Sequence, residues 1–260
     1  MTLEPPRGVP ACMAAVVIWS LYAAIAGPPR GRAEGSAVGE EELRLSTSDG
    51  LSLEARLARP AEWTPAAGLA VLCHPHPLQG GTMDDAVTGA VGRRLNGEGV
   101  AALRFNFRGT GGSEGEHSGG MKEPLDVLAA AAYARDRLAV EPGRMAVVGY
   151  SFGAGMAAGA LAKLPVDVAY VGIPLPAQLQ KPFEDWSGLM QADRSVMFVA
   201  GGADEIAPPS ALIQYLVTRP GGARIELIGQ ASHFFSSPGQ LAAVADAVAT
   251  FLRELWTRAE

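Results

Sequence analysis

A chain of 260 residues with 48% hydrophobic side chains is large enough to close a substantial core, which excludes disorder of the whole chain. Its net charge of -6 comes from interspersed acidic and basic residues, so no basic stripe follows a nucleic-acid backbone and no nucleic-acid role is expected. The two cysteines, Cys12 and Cys73, fall in no C-x-x-C or metal-ligand spacing, which argues against a structural disulfide.

The chain divides into a leader with linker, residues 1–38, and one domain, residues 39–260. Within the leader, residues 11–26, "ACMAAVVIWSLYAAIA", are uncharged and apolar and end in an A-x-A pattern before a breaker-rich linker. This reads as a signal peptide or a short membrane anchor, hence export or anchoring, with a cytoplasmic enzyme carrying a non-native leader as the alternative. From Glu41 onward, "EELRLS" and "LSLEARLA" alternate around Ser48-Asp-Gly50 and predict an antiparallel opening hairpin. Continuous apolar runs then begin at Leu69, Val100, Met145, Asp167, Ser195 and Ala223, as expected of strands buried on both faces. Helical patterns over 84–96, 123–138, 152–164, 209–218 and 240–255 separate them, which predicts an α/β sheet of eight strands with crossover helices.

Two segments match G-x-S-x-G: Gly149 to Gly153 around Ser151, and Gly111 to Gly115 around Ser113. In a chain with 32 glycines the pattern alone is weak. Ser151 stands between an apolar strand and a small-residue helix, where a strained strand-to-helix turn can expose a nucleophile and where the flanking glycines avoid Cβ collisions. Ser113 lies in a polar glycine-rich loop with no helix beginning at it. Gly153, Gly155 and Gly159 also resemble a dinucleotide-binding spacing, but the next strand ends in no acidic residue to hold a ribose.

A serine nucleophile needs a base and a group to orient it, in the order serine, acid, histidine, each after a later strand. Asp204 follows the "SVMFVA" strand and His233 follows "ARIELIG", so Ser151, Asp204 and His233 are the expected triad, with Glu205 as the other candidate acid. Backbone N–H groups for the oxyanion are expected from Phe152, after the nucleophile, and from the loop "HPHPLQGG". Pro75 and Pro77 have no N–H, leaving His76 as the second donor and Leu78 as the fallback. His74 and His76 have a ligand-like spacing, but no third ligand completes it in the loop; Asp84 and Asp85 fit as helix N-caps, so no metal and no cofactor are expected.

The blocks "CHPHPLQGGTMDD", "ALRFNFRGTGGSEG", "VVGYSFGAGMA", "GGADEIAPP" and "ASHFF" together resemble small bacterial α/β-hydrolases of the dienelactone-hydrolase-like and serine-aminopeptidase-like groups, closest to predicted hydrolases marked by H-P-H-P and G-G-T-M. The resemblance, which spans about Leu43 to Leu255, implies an α/β-hydrolase fold and a serine hydrolase. It also implies that Arg108 organises its loop rather than binding substrate, with Glu114, Glu116 and His117 near the site mouth. Dienelactone hydrolases proper carry a cysteine nucleophile, so Ser151 does not support that reaction.

The short segment between the sixth and seventh strands predicts an open or lightly covered site. Leu179, Phe183, Trp186 and Met190 are expected either on one side of a cap helix or packed on the core, and Leu78, Phe183, Trp186 and Ile206 are the candidate substrate pocket. The expected activity is hydrolysis of a small-molecule ester through an acyl-enzyme. Thioester or acylaminoacyl and peptide hydrolysis are the alternatives within the enzyme class. A non-catalytic binding protein of the same fold is the alternative outside it.

Overall fold

The computed structural model describes residues 38–176 and 186–258, so the apolar run 11–26 and the candidate residues Leu179 and Phe183 lie outside the described residues. One sheet holds eight strands: β1 (Val38–Ser46), β2 (Ser52–Pro60), β3 (Leu69–Cys73), β4 (Ala101–Phe105), β5 (Met145–Tyr150), β6 (Ala169–Ile173), β7 (Val196–Gly201) and β8 (Arg224–Ile228). They lie in the order β1-β2-β4-β3-β5-β6-β7-β8. β1 and β2 form the antiparallel hairpin, β2 meets β4 antiparallel, and the pairs from β4 to β8 are parallel.

The central strands β3 to β7 read as apolar runs because alternate residues feed two separate cores, whereas β1, β2 and the edge strand β8 are partly exposed. Leu69, Val71 and Cys73 of β3 and Met145 and Val147 of β5 face one core, completed by α2 (Glu123–Leu138), α3 (Phe152–Ala160) and α4 (Pro209–Leu216). Ala70, Leu72, Ala146 and Val148 face the other, completed by Val87, Val91 and Leu95 of α1 (Ala86–Gly97) and Val244, Val248 and Leu252 of α5 (Pro238–Thr257).

Helix ends follow local chemistry. Asp85 caps α1 by accepting from the Val87 and Thr88 N–H groups, whereas Asp84 instead pairs with Arg56 at 2.8 Å and Arg104 at 3.2 Å. α5 begins two residues before the apolar pattern predicts because Ser237 and Gln240 form a capping box ahead of Pro238. α3 stops at Ala160, short of the expected 164, and continues as a tighter turn over Leu161–Lys163. The buried Arg194 guanidinium draws that end together by donating to the carbonyls of Leu161, Leu164, Pro165 and Val168. Among the described residues no helix is long and apolar enough to cross a membrane.

Candidate active site

The parallel strands β3 to β8 all point their C-terminal ends at the same edge of the sheet, where loops from separate strands converge. At the end of β5, Ser151 takes φ 54° and ψ -114°, a left-handed conformation strained for a residue with a Cβ. The chain turns from strand to helix within that one residue. A Cβ on Gly149 would overlap the backbone of Gly153 and Ala154, and one on Gly153 would overlap the carbonyl oxygens of Cys73 and His74. Both glycines are therefore required by backbone crowding, and the turn is pinned by the Ser151 N–H donating to the Ile173 carbonyl at 2.7 Å.

His233 Nε2 lies 2.9 Å from Ser151 Oγ, and His233 Nδ1 lies 2.9 Å from Asp204 Oδ2. The carboxylate side chain is fully buried and the imidazole nearly so. Asp204 divides its two oxygens: Oδ1 accepts from the Ile206 and Ala207 N–H groups at 2.9 and 2.7 Å, and Oδ2 faces the imidazole. The acid and base loops are also joined through the backbone, since Gly202 and Ala203 donate to the carbonyls of Ile228 and Ala231. Glu205, the other candidate acid, is exposed, and the imidazole Nδ1 faces Asp204 instead. The base loop is bracketed by two non-glycine residues at positive φ, Gln230 at 55° and Phe235 at 46°.

One contact at the base had no sequence signal. The Tyr150 hydroxyl donates to the His233 carbonyl at 3.1 Å, so the residue before the serine fastens the backbone of the histidine. Burial pushes the Tyr150 phenol well above its usual range and keeps it a neutral donor.

The loop after β3 forms a tight turn over Pro77–Gln79. Its Leu78 N–H donates to His76 Nδ1 at 3.2 Å, which leaves the proton of a neutral His76 on Nε2. No acceptor for the His76 N–H is found among the described residues. The His76 ring packs on Phe152 with centroids 4.8 Å apart, so the two expected oxyanion donors belong to residues in contact.

His74 is buried and serves a different end. Its Nδ1 lies 2.7 Å from the Pro75 carbonyl, and its Nε2 accepts from the Phe107 N–H at 3.0 Å, tying the loop after β3 to the loop after β4. Burial lowers its pKa to about 4, which keeps the ring neutral. Among the described residues no group of three or more His, Cys, Asp or Glu side chains could hold a metal ion.

In the loop after β4, Arg108 is buried between Asp126, at 2.6 Å, and Asp49, at 2.8 Å. Ser113 Oγ donates to the Asn106 carbonyl at 2.6 Å and accepts from the Glu54 N–H at 2.9 Å. Glu114 is occupied by the Ser52 N–H at the start of β2. His117 does reach the site: its ring lies 5.0 Å from His76 and 5.4 Å from Phe152, and its buried Nδ1 lies 3.2 Å from the fully buried Glu123 carboxylate without hydrogen-bond geometry. Burial opposes the charge on Glu123, yet hydrogen bonds from the Ser118 hydroxyl and amide hold its carboxyl below the usual range. The pairing of His117 with Glu123 was not legible beforehand.

Of the candidate pocket residues, Leu78 and Ile206 are exposed beside the oxyanion loop and the acid. Trp186 is corrected to a core residue, 3% exposed in the same apolar cluster as Leu161 and Leu189, so the core alternative for that side chain is the one realised. The segment that follows forms only a short turn, Ser187–Met190, and not a cap helix.

Three comparisons bear on this geometry. The X-Pro dipeptidyl-peptidase (S15 family) model matches residues 49–176. An uncharacterized protein of Rickettsia prowazekii is 29% identical over 188 residues, 70% of this chain and 77% of that one. Among solved structures, a Xanthomonas campestris protein described as an α/β serine hydrolase without lid is 27% identical with a TM-score of 0.71, over 85% of this chain and 97% of that one. A Coxiella burnetii α/β serine hydrolase homologue is 25% identical with a TM-score of 0.69, over 86% of this chain and all of that one (100%).

Proposed function

The chain belongs to the α/β-hydrolase superfamily and is a serine hydrolase, and from that premise we propose that it cleaves carboxylic esters through an acyl-enzyme on Ser151. The observation that carries the reading is the hydrogen-bonded run from Ser151 through His233 to the buried Asp204, set on a strained strand-to-helix turn. His233 Nε2 accepts the Ser151 proton as Oγ attacks the ester carbonyl, and Asp204 holds the imidazole in the required tautomer and stabilises the imidazolium. The Phe152 and His76 N–H groups stabilise the tetrahedral oxyanion. The Leu78 N–H, already donating to His76 Nδ1, is the poorer candidate. As the intermediate collapses, the carbon–oxygen bond to the leaving alcohol breaks and His233 returns the proton to it. Water then attacks the acyl-enzyme, its proton passing to His233 and on to Ser151 as the acid leaves.

Likeness to the Xanthomonas campestris α/β serine hydrolase without lid supports a site open to small and medium esters. Amide hydrolysis is the second reading, favoured by the S15-family match over 49–176. A panel of p-nitrophenyl esters, acyl-CoA thioesters and aminoacyl anilides separates the two: turnover of the esters and not of the anilides is expected, and the reverse ranking would overturn the ester reading. A fluorophosphonate probe should label the wild type and not Ser151→Ala; a well-folded chain that resists the probe would instead be a non-catalytic member of the fold. We also propose export or anchoring through residues 11–26. Cell fractionation with N-terminal sequencing checks this, and a retained Met1 in the soluble cytoplasm would refute it.

A further inference from the structure

The general base stands on a loop, five residues past the end of β8. Ahead of the histidine that loop is held to the acid loop by backbone groups, Gly202 donating to the Ile228 carbonyl and Ala203 to the Ala231 carbonyl. The approach there is close, since a Cβ on Gly201 would lie 2.4 Å from the Ala231 carbonyl oxygen. Beyond the histidine the chain bends at Phe235, at φ 46° with its side chain buried. Among the described residues, the one hydrogen bond to the backbone of His233 itself comes from the Tyr150 hydroxyl.

Tyr150 ends β5 and is joined by a peptide bond to the nucleophile, whose own N–H is fixed to the Ile173 carbonyl at the end of β6. The strand that sets the position of Ser151 Oγ therefore also sets the position of the hydroxyl on which the His233 backbone rests. Two distances, 2.9 Å from Oγ to Nε2 and 3.1 Å from hydroxyl to carbonyl, are gauged from one short piece of chain. Asp204 acts from the end of β7 and grips the imidazole at Nδ1, which orients the ring and leaves the backbone beneath it to another hold. A buried hydroxyl is costly unless it is used, and at 4% exposure Tyr150 has little water to satisfy it. We propose that Tyr150 is a positioning residue for the general base: its hydroxyl sets His233 against the adjoining nucleophile and so speeds attack by Ser151 without touching substrate. The proposal rests on the acyl-enzyme reading above. Burial first, and then the carboxylates of Asp85 and Asp204, oppose ionisation of the phenol, so it stays a donor and takes no proton from the reaction.

The test compares the full chain with Tyr150→Phe, which keeps the ring 5.9 Å from the imidazole and deletes the hydroxyl. Fluorophosphonate labelling at rising probe concentration separates kinact from KI and needs no knowledge of the natural substrate. Tyr150→Phe should lower kinact about tenfold and leave KI within about twofold, because the probe binds as before and meets a misplaced base. On a p-nitrophenyl ester the same split is expected between kcat and KM. With His233→Ala already present, deleting the hydroxyl should change the residual labelling rate by less than about twofold, since no imidazole is left to place. An equal loss in both backgrounds, or a loss confined to KI and KM, makes Tyr150 part of the fold or of the pocket and overturns the proposal. A second variant weakens the same bond from its other end: the α-hydroxy acid in place of Phe234 turns the His233 carbonyl into an ester, a poorer acceptor, at the expense of a long 3.4 Å contact from the Phe234 N–H to Ser232 Oγ. It should lower kinact about threefold, and it decides the matter if Tyr150→Phe does not fold. Labelling that depends on Tyr150 without ester turnover sinks the ester reading and keeps the positioning role. Ester turnover indifferent to Tyr150→Phe sinks the positioning role and keeps the ester reading.

Discussion

The two G-x-S-x-G segments share three residues out of five and almost nothing else. Around Ser151 the serine itself holds the strained angle, at φ 54°, and its glycines are there because backbone atoms at the start of α3 and at the end of β3 leave no room for a Cβ. Around Ser113 the strain is on the glycines, Gly111 at φ 55° and Gly115 at φ 80°, and a Cβ would meet the ends of the Asn106 and Leu51 side chains. One serine has its oxygen facing an imidazole; the other has it tied between two backbone groups. The same letters therefore record crowding in one place and turning in the other, and only the neighbouring elements tell them apart.

The largest effect that would break this contrast is on turnover. Ser151→Ala should lower kcat/KM on a p-nitrophenyl ester by about 10⁴-fold or more, whereas Ser113→Ala should leave it within about twofold. A comparable loss at Ser113 would mean that the glycine-rich loop takes part in the chemistry. Next in size, Arg108→Met leaves Asp126 buried without its cation and should destabilise the fold by about 3–5 kcal/mol, read as a lower midpoint in urea. An unchanged midpoint would show that the loop after β4 is not held by this pair.

The seam between the two regions is His74, whose folded pKa of about 4 lies below the ordinary 6.5. A depressed histidine pKa means that the folded state binds the proton less readily than the unfolded chain. Its contribution, up to about 3 kcal/mol, is complete above pH 6.5 and is lost as pH falls towards 4. The midpoint should drop over that window and drop less in His74→Asn; equal slopes in the two proteins would remove His74 from the account. Smallest, Ser113→Ala should cost about 1–2 kcal/mol, because it leaves the buried Asn106 carbonyl and the Glu54 N–H without their partner.

The strands and helices were readable because β3 to β7 are buried on both faces, the opening hairpin alternates, and the connections carry their own punctuation, as at Ser237 and Pro238; β8, read as another buried run, is instead a partly exposed edge strand. Ser151, Asp204 and His233 were readable for a related reason: this fold places them one per strand end, so position along the chain stands in for position in space. What escaped is what joins residues across loops. The link from His74 to Phe107 and the hydroxyl of Tyr150 on the His233 carbonyl connect residues 33 and 83 positions apart, and Glu123 beneath His117 folds back at the end of a glycine-rich loop, and no periodicity marks them. Trp186 is ambiguous for the opposite reason: its spacing from Phe183 and Met190 suits a cap helix and a core face alike, and the apolar cluster with Leu161 and Leu189 holds it.

The divided carboxylate of Asp204 couples two things that are usually separable. One oxygen fixes the shape of its loop and the other fixes the imidazole, so the side chain behaves as a ruler whose length is set by the backbone it caps. A glutamate in its place would be one methylene too long to meet both ends at once. A change elsewhere in the 201–208 turn would be felt at the nucleophile without touching it, which makes that turn a place where activity can be tuned by altering loop shape and leaving the chemistry-bearing residues alone.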